Sequence, residues 1–112
     1  MEVKRKFEVA YLQEALEFLQ DIEDKARDKI IYNIDKATYV MDPKLFKKLE
    51  DTDIWEFRTQ YNNKQYRLLA FWDKTGEKDT LVIATHGFIK KTDKTPLREI
   101  EKANNIMKEY FK

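Results

Sequence analysis

The sequence predicts one α+β domain: an antiparallel sheet with an N-terminal strand and a helical hairpin, a three-strand meander, and a C-terminal helix. Three observations carry that expectation. The chain has 112 residues, room for one two-layer core and not for two. Its apolar spacing changes along the chain from the alternation of a strand to the 3.6-residue period of a helix and back. Two turn-forming stretches, Asn62-Asn63 and Asp73-Lys74-Thr75-Gly76, separate three alternating runs, so an antiparallel meander is their natural connection.

Val3 to Val9 alternates charged and apolar residues and reads as a short first strand. From Tyr11 the period lengthens. Ala15, Phe18, Leu19 and Ile22 share one helical face, and Ala26, Ile30, Ile34 and Ala37 continue it, either as a hairpin or as one long bent helix. The polar stretch Gln20 to Asp24 is the expected break, because aspartate competes for backbone hydrogen bonds and favours helix ends. Pro43 holds Asp42 extended, ends the region, and is placed to open a short helix reaching Phe46. Ile54 to Arg58 sets Trp55 and Phe57 against Glu56 and Arg58. Gln65 to Trp72 places Arg67 on the side of Leu69 and Phe71. Leu81 to Phe88 sets Val82, Ala84, His86 and Phe88 against Leu81, Ile83 and Thr85. Thr95 is the expected N-cap of a last helix with Pro96 at its first position and the stripe Leu97, Ile100, Ala103, Met107, Tyr110. All helices are expected on one face of the sheet.

Composition excludes several chemistries. Cysteine and serine are absent and His86 is the single histidine, which removes disulfides, thiolate catalysis, Cys/His zinc cages and a Ser-His-Asp triad. Two glycines cannot supply a P-loop or a dinucleotide turn. No metal and no cofactor are expected. The longest apolar run is Leu68 to Trp72, far short of the ~20 residues that cross a bilayer. No apolar stretch follows Lys4-Arg5-Lys6, so a non-secreted, cytoplasmic protein without a membrane partner is expected.

Overall charge is +1, but residues 1–53 hold 10 Lys+Arg against 13 Asp+Glu, net −3, and residues 54–112 hold 12 against 8, net +4. This asymmetry points to a localised basic surface. Its cations are Arg58, Arg67, Lys90, Lys91 and Lys94, interleaved with Tyr66, Trp72, His86 and Phe88. An unpaired buried guanidinium is costly, so two readings stand side by side. In one, Arg67 bridges Glu56 or Asp73 across the strands and the lysines are solvated turn residues. In the other, a helix-free sheet face forms a basic cleft that holds phosphates while an aromatic ring stacks on a base.

The strings Ile54-Trp55-Glu56-Phe57-Arg58 and Tyr66-Arg67-Leu68-Leu69-Ala70-Phe71 are followed by His86-Gly87-Phe88-Ile89-Lys90-Lys91-Thr92, Lys94-Thr95-Pro96 and Glu99-Ile100 before Ala103. In this order and spacing, over most of the chain, they resemble the HigB-like, phage Gp49-like branch of the RelE/ParE toxin superfamily. The resemblance implies a RelE-like fold and the toxin of a type II toxin-antitoxin module: a ribosome-dependent mRNA endonuclease that inhibits translation and is neutralised by a cognate helix-turn-helix, HigA-like antitoxin. Its partners would then be that antitoxin, the ribosome and mRNA. The alternative within the same superfamily is a non-catalytic protein-binding module, gyrase-directed or inactive.

Carried over position by position, Arg58 and Arg67 match the central-strand arginines, and His86, Phe88, Lys90 and Lys91 match the segment after the last strand. The implied chemistry is metal-independent attack of a ribose 2′-hydroxyl on the adjacent phosphate. Arg67 and Arg58 would clamp the phosphate. His86 with Lys90 or Lys91 would move protons, and Phe88, Lys94 and Tyr66 would bind RNA. The tyrosine that the RelE branch carries in this region is missing between His86 and Pro96, leaving Phe88 or Tyr110 as the aromatic in its place.

Overall fold

The computed structural model describes residues 4–76 and 80–112. Its elements are β1 (Glu8–Tyr11), α1 (Gln13–Asp21), α2 (Asp24–Tyr39), β2 (Phe46–Lys48), β3 (Trp55–Tyr61), β4 (Lys64–Asp73), β5 (Leu81–Lys90) and α3 (Leu97–Tyr110). The strands form one sheet in the order β1-β5-β4-β3-β2. The α+β class, the helical hairpin, the meander and the C-terminal helix match the sequence-based expectation. Ile22 and Glu23 are both extended, which breaks the helical region inside the polar stretch and makes it two helices. Asn62 and Asn63 both adopt left-handed φ, 51° and 61°, the conformation a two-residue hairpin of type I′ demands between Tyr61 and Lys64. The turn after Asp73 lies partly outside the described residues.

Four expectations are corrected. The first strand, expected over Val3 to Val9, spans Glu8–Tyr11 with residues 4–7 outside it, and it pairs parallel with β5, so the sheet is mixed. Val3, the first residue of the expected strand, lies outside the described residues. The segment after Pro43 is a single turn closed by Leu45 N–H and Phe46 N–H to the Asp42 carbonyl, and then a strand. Phe46 pairs with Phe57 and stacks on its ring at 4.3 Å, a contact that outweighs local helical preference. Pro96, not Thr95, is the N-cap of α3. Finally, the helices lie on both faces of the sheet rather than one.

That last correction follows from the burial of β4. Leu68, Leu69, Ala70 and Phe71 are at most 1% exposed, so consecutive residues, pointing in opposite directions, are all covered. Helices α1 and α2 carry the chain across one face from the β1 edge to the β2 edge. Ala15, Leu19, Ala26, Ile30, Ile34 and Ala37 pack there on Phe57, Leu68, Val82 and Ala84. The Phe7 ring sits at the centre, 5.1 Å from Phe46 and 5.2 Å from Trp72. On the other face, Ala103, Ile100 and Met107 of α3 cover Ile54, Leu69, Phe71 and Ile83.

The register of β5 contains a bulge. Ala70 pairs with Ala84 but Leu69 pairs with His86, so Thr85 is the extra residue. The alternation therefore changes side at Thr85. Val82 and Ala84 face α1 and α2, whereas Ile83 and Phe88 belong to the α3 face, and His86 is turned to that side with Phe88.

Gly87 lies where a Cβ would overlap the Phe18 ring. Gly87→Ala is expected to cost about 1–3 kcal/mol by overpacking the α1–β5 contact. Urea denaturation measures this, and an unchanged midpoint would mean that the Phe18 ring moves aside freely.

Candidate active site

The bulge brings strand positions from three neighbours onto one surface beside the N-terminal half of α3. Glu56 and Arg58 come from β3, Arg67 from β4, and His86, Phe88 and Lys90 from β5. Arg58 is paired directly with Arg67, and Arg67 with Phe88. Two like charges opposite each other are unfavourable unless a counter-charge lies between them. Glu56 supplies it. Its Oε1 is 3.1 Å from Arg67 Nε and 3.4 Å from Arg58 Nε, and its Oε2 accepts the Thr95 hydroxyl at 2.6 Å. The carboxylate is 3% exposed. The contacts to both Nε atoms are ion pairs and not aligned hydrogen bonds.

The two arginines are not equivalent. Arg67 is buried, donating to the Tyr66 carbonyl at 2.9 Å and to Gln65 Oε1 at 3.3 Å, and burial lowers its proton affinity against the opposing pull of Glu56. Arg58 is 31% exposed in its side chain and borders an open cleft. That cleft encloses about 400 Å³ and is lined by Lys47, Lys48, Glu50, Glu56, Arg58, Lys90, Asp93, Lys94, Thr95 and neighbouring apolar atoms. Lys90 Nζ donates to the Asp93 carbonyl at 2.9 Å. Its ammonium is destabilised, so its pKa is pushed below 10.5, by partial burial first and then by Arg67 and Arg58, while Glu56 and Asp93 oppose.

The expected site residues therefore separate. Arg58, Lys90 and Lys94 line one cleft, with Arg67 buried behind it. Phe88 and Lys91 line an adjoining groove of about 440 Å³ with Phe18, Arg98 and Glu99. This groove opens where β1, which pairs with β5 only as far as Ala84, no longer covers the strand. Tyr66 is corrected: it is 3% exposed on the α1–α2 side, its ring edge-on to Phe18, and cannot meet a ligand on the cleft face. Tyr110 is held at the far end of α3, where its hydroxyl donates to Asp73 Oδ2 at 2.6 Å. Asp73 is thereby engaged, and Glu56 is the carboxylate that bridges the arginines.

Lys47, Lys48, Thr95 and Arg98 were not legible as site residues. The Lys47-Lys48 pair is brought there by β2, and the alternation of Phe46 and Lys47 was the signal for that strand. Among the described residues no group of acids and histidines is arranged to hold a metal ion. No helix among them is long and apolar enough to cross a membrane.

The five-stranded mixed sheet with a helical hairpin on one face and the C-terminal helix on the other has the RelE-like fold. The chain is similar in structure to a doubly substituted E. coli toxin RelE in the free state, with a TM-score of 0.59, 14% identity, and 89% of this chain and 94% of that one covered. It is also similar to a chain of the intact E. coli RelBE toxin-antitoxin complex, with a TM-score of 0.53, 12% identity, and 79% of this chain and 99% of that one covered. Residues 17–108 match the family model described as phage derived protein Gp49-like (DUF891). The chain belongs to that Gp49-like family. A comparison with curated proteins finds no match.

His86 is 4% exposed in its side chain, with Nδ1 2.9 Å from the Thr85 hydroxyl and Nε2 3.2 Å from Glu99 Oε1. Glu99 Oε1 lies where it accepts from Nε2–H, and the single hydroxyl hydrogen of Thr85 has both Nδ1 and the Leu69 carbonyl, 3.2 Å away, within reach. Burial lowers the imidazole pKa and Glu99 only partly restores it. Because the buried ring binds this proton less well than the unfolded chain does, stability is full above the ordinary histidine value and is lost as pH falls from there through the depressed folded value. An NMR titration of the single imidazole should give a midpoint below 6.5. A midpoint at or above that value would show that the ring is charged against Glu99.

Proposed function

We propose that this protein is the toxin of a type II toxin-antitoxin module and cleaves mRNA on the translating ribosome. The observation that carries the reading is the convergence of Arg58 and Arg67 on one buried carboxylate at the floor of an open cleft that Lys90 also lines and that Lys47, Lys48 and Lys94 rim. Such a surface attracts a polyanion, and its central cations are preorganised by the fold. Family membership and the RelE fold support the same reading, and the RelBE complex supports a cognate antitoxin, here taken to be of helix-turn-helix type, as the partner that neutralises it.

In the proposed reaction, the ribose 2′-oxygen attacks the adjacent phosphorus as its proton leaves. The P–O5′ bond then breaks, giving a 2′,3′-cyclic phosphate and a 5′-hydroxyl. Arg58 binds the non-bridging oxygens at the cleft surface, and Arg67 adds a fixed charge from behind. Lys90, whose proton affinity is lowered by partial burial and the two guanidinia, accepts the 2′-proton from its neutral form. The departing 5′-oxygen takes a proton from the lysines of the rim. His86 has both ring nitrogens engaged inside the protein, so we assign it to holding Glu99 and the first turn of α3 rather than to proton transfer. Phe88, with Lys91 and Arg98 in the adjoining groove, is proposed to receive a neighbouring base.

The test is cell-free translation with the purified protein and mapping of mRNA 5′ ends. Wild type should give cuts phased to codons, and Lys90→Ala should lower their rate by roughly 10²-fold or more while the protein stays folded. Arg58→Ala should lower it too, and ribosome binding should weaken steeply with salt. Intact mRNA with folded wild type would reject the endonuclease reading in favour of a protein-binding toxin of the same fold, and wild-type cleavage by Lys90→Ala would remove Lys90 from the chemistry.

A further inference from the structure

We propose that Glu56 is a positioning residue for this cleft: its buried carboxylate sets the Arg58 and Arg67 guanidinia and, through Thr95, ties the segment 91–96 to the sheet as the opposite wall. The proposal rests on the endonuclease reading above, but its geometric half can be tested without it. At 3% exposure Glu56 does not touch an RNA in the cleft, so any influence on cleavage passes through the groups it holds.

The grip on the arginines is one of charge. Both Nε atoms are buried within ion-pair distance of Oε1, at 3.1 and 3.4 Å, and neither is aligned for a hydrogen bond. The grip on the loop is directional, a 2.6 Å hydrogen bond from the Thr95 hydroxyl to Oε2. Inside the loop the Thr92 hydroxyl donates to the Lys94 carbonyl at 2.7 Å, and Lys90 Nζ holds the Asp93 carbonyl. One carboxylate thus couples two strand arginines to the loop that carries Lys91 and Lys94. Glu56→Gln keeps the shape and an acceptor for Thr95 while removing the charge, so it separates the two grips. Thr95→Val removes the directional one alone.

Lys90 reports the charge. The groups around it are Glu56 and Arg58 of β3, Arg67 of β4, Lys47, Lys48 and Glu50 at β2, and Asp93 and Lys94 of the loop. Deleting the Glu56 charge leaves the arginines less opposed, so Lys90 should lose its proton at lower pH. Cleavage that needs neutral Lys90 rises with pH, and its acid limb should therefore move to lower pH in Glu56→Gln.

The experiment uses the intact protein in three forms, wild type, Glu56→Gln and Thr95→Val, with two readouts. Spectra of the arginine side-chain Nε–H groups should show two slowly exchanging signals in wild type and in Thr95→Val, both moving towards free arginine in Glu56→Gln. In ribosome-dependent cleavage, Glu56→Gln should lower kcat by roughly tenfold or more at nearly constant KM and shift the acid limb down. Thr95→Val should lower kcat without shifting that limb. Wild-type kcat and pH profile in Glu56→Gln, or arginine signals that do not respond to it, would overturn the proposal. If Glu56→Gln does not fold, wild-type kcat in folded Thr95→Val overturns it. If wild type itself does not cleave, the endonuclease reading fails and the arginine spectra alone decide whether Glu56 positions them.

Discussion

A carboxylate taken out of water loses several kcal/mol of hydration, and it stays ionised only if charges of the opposite sign replace that water. Glu56 meets this condition with two guanidinia and a hydroxyl, and the rest of the cleft depends on the result. The same contact settles a conflict within the sheet, since Arg58 and Arg67 lie directly opposite each other on neighbouring strands. Removing one partner from such a buried set costs about 3–5 kcal/mol, because the remaining charge is left without compensation. Two cations on one anion also leave an excess of positive charge. Partly buried Lys90 adds to it, and that excess is what an anionic ligand meets.

The cluster faces α3 because of a single extra residue. Without the bulge at Thr85, the side chains of Ile83 and His86 would point to opposite faces, and Phe88 and Lys90 would turn into the core under α1 and α2. With it, the first half of β5 completes both apolar layers, and the second half supplies the site. Thr85 is 0% exposed; its hydroxyl lies 3.2 Å from the Leu69 carbonyl and 2.9 Å from His86 Nδ1, so the irregularity is itself hydrogen-bonded.

Burying β4 on both faces explains the division of labour among the helices. The hairpin of α1 and α2 spans one face from edge to edge. Helix α3 covers the apolar half of the other face, over Leu69, Phe71 and Ile83, and stops short of the charged half. The cleft is what remains uncovered. Tyr110 and Asp73 hold one end of α3, and Glu99 with His86 holds the other, so the helix that bounds the cleft is tied to the sheet at both ends.

Periodicity and turn chemistry act between near neighbours in the chain, and what they control was legible in the sequence by itself: the α+β class, the break between α1 and α2, the Asn62-Asn63 hairpin, the C-terminal helix, and a basic second half containing Arg58, Arg67, Lys90 and Lys94. The motif strings were equally legible, and the family they resembled is the one to which residues 17–108 belong. Features that depend on distant partners were decided only by the tertiary structure. Phe46 became a strand residue because Phe57 and Trp55 stack on it, β1 paired parallel because the helices return the chain across the sheet, and the faces of β5 exchanged because its bulge is defined only against β4. Glu56, an acid of ordinary appearance in an alternating run, became the centre of the site because folding placed two arginines and a threonine thirty-nine positions away around its one buried carboxylate.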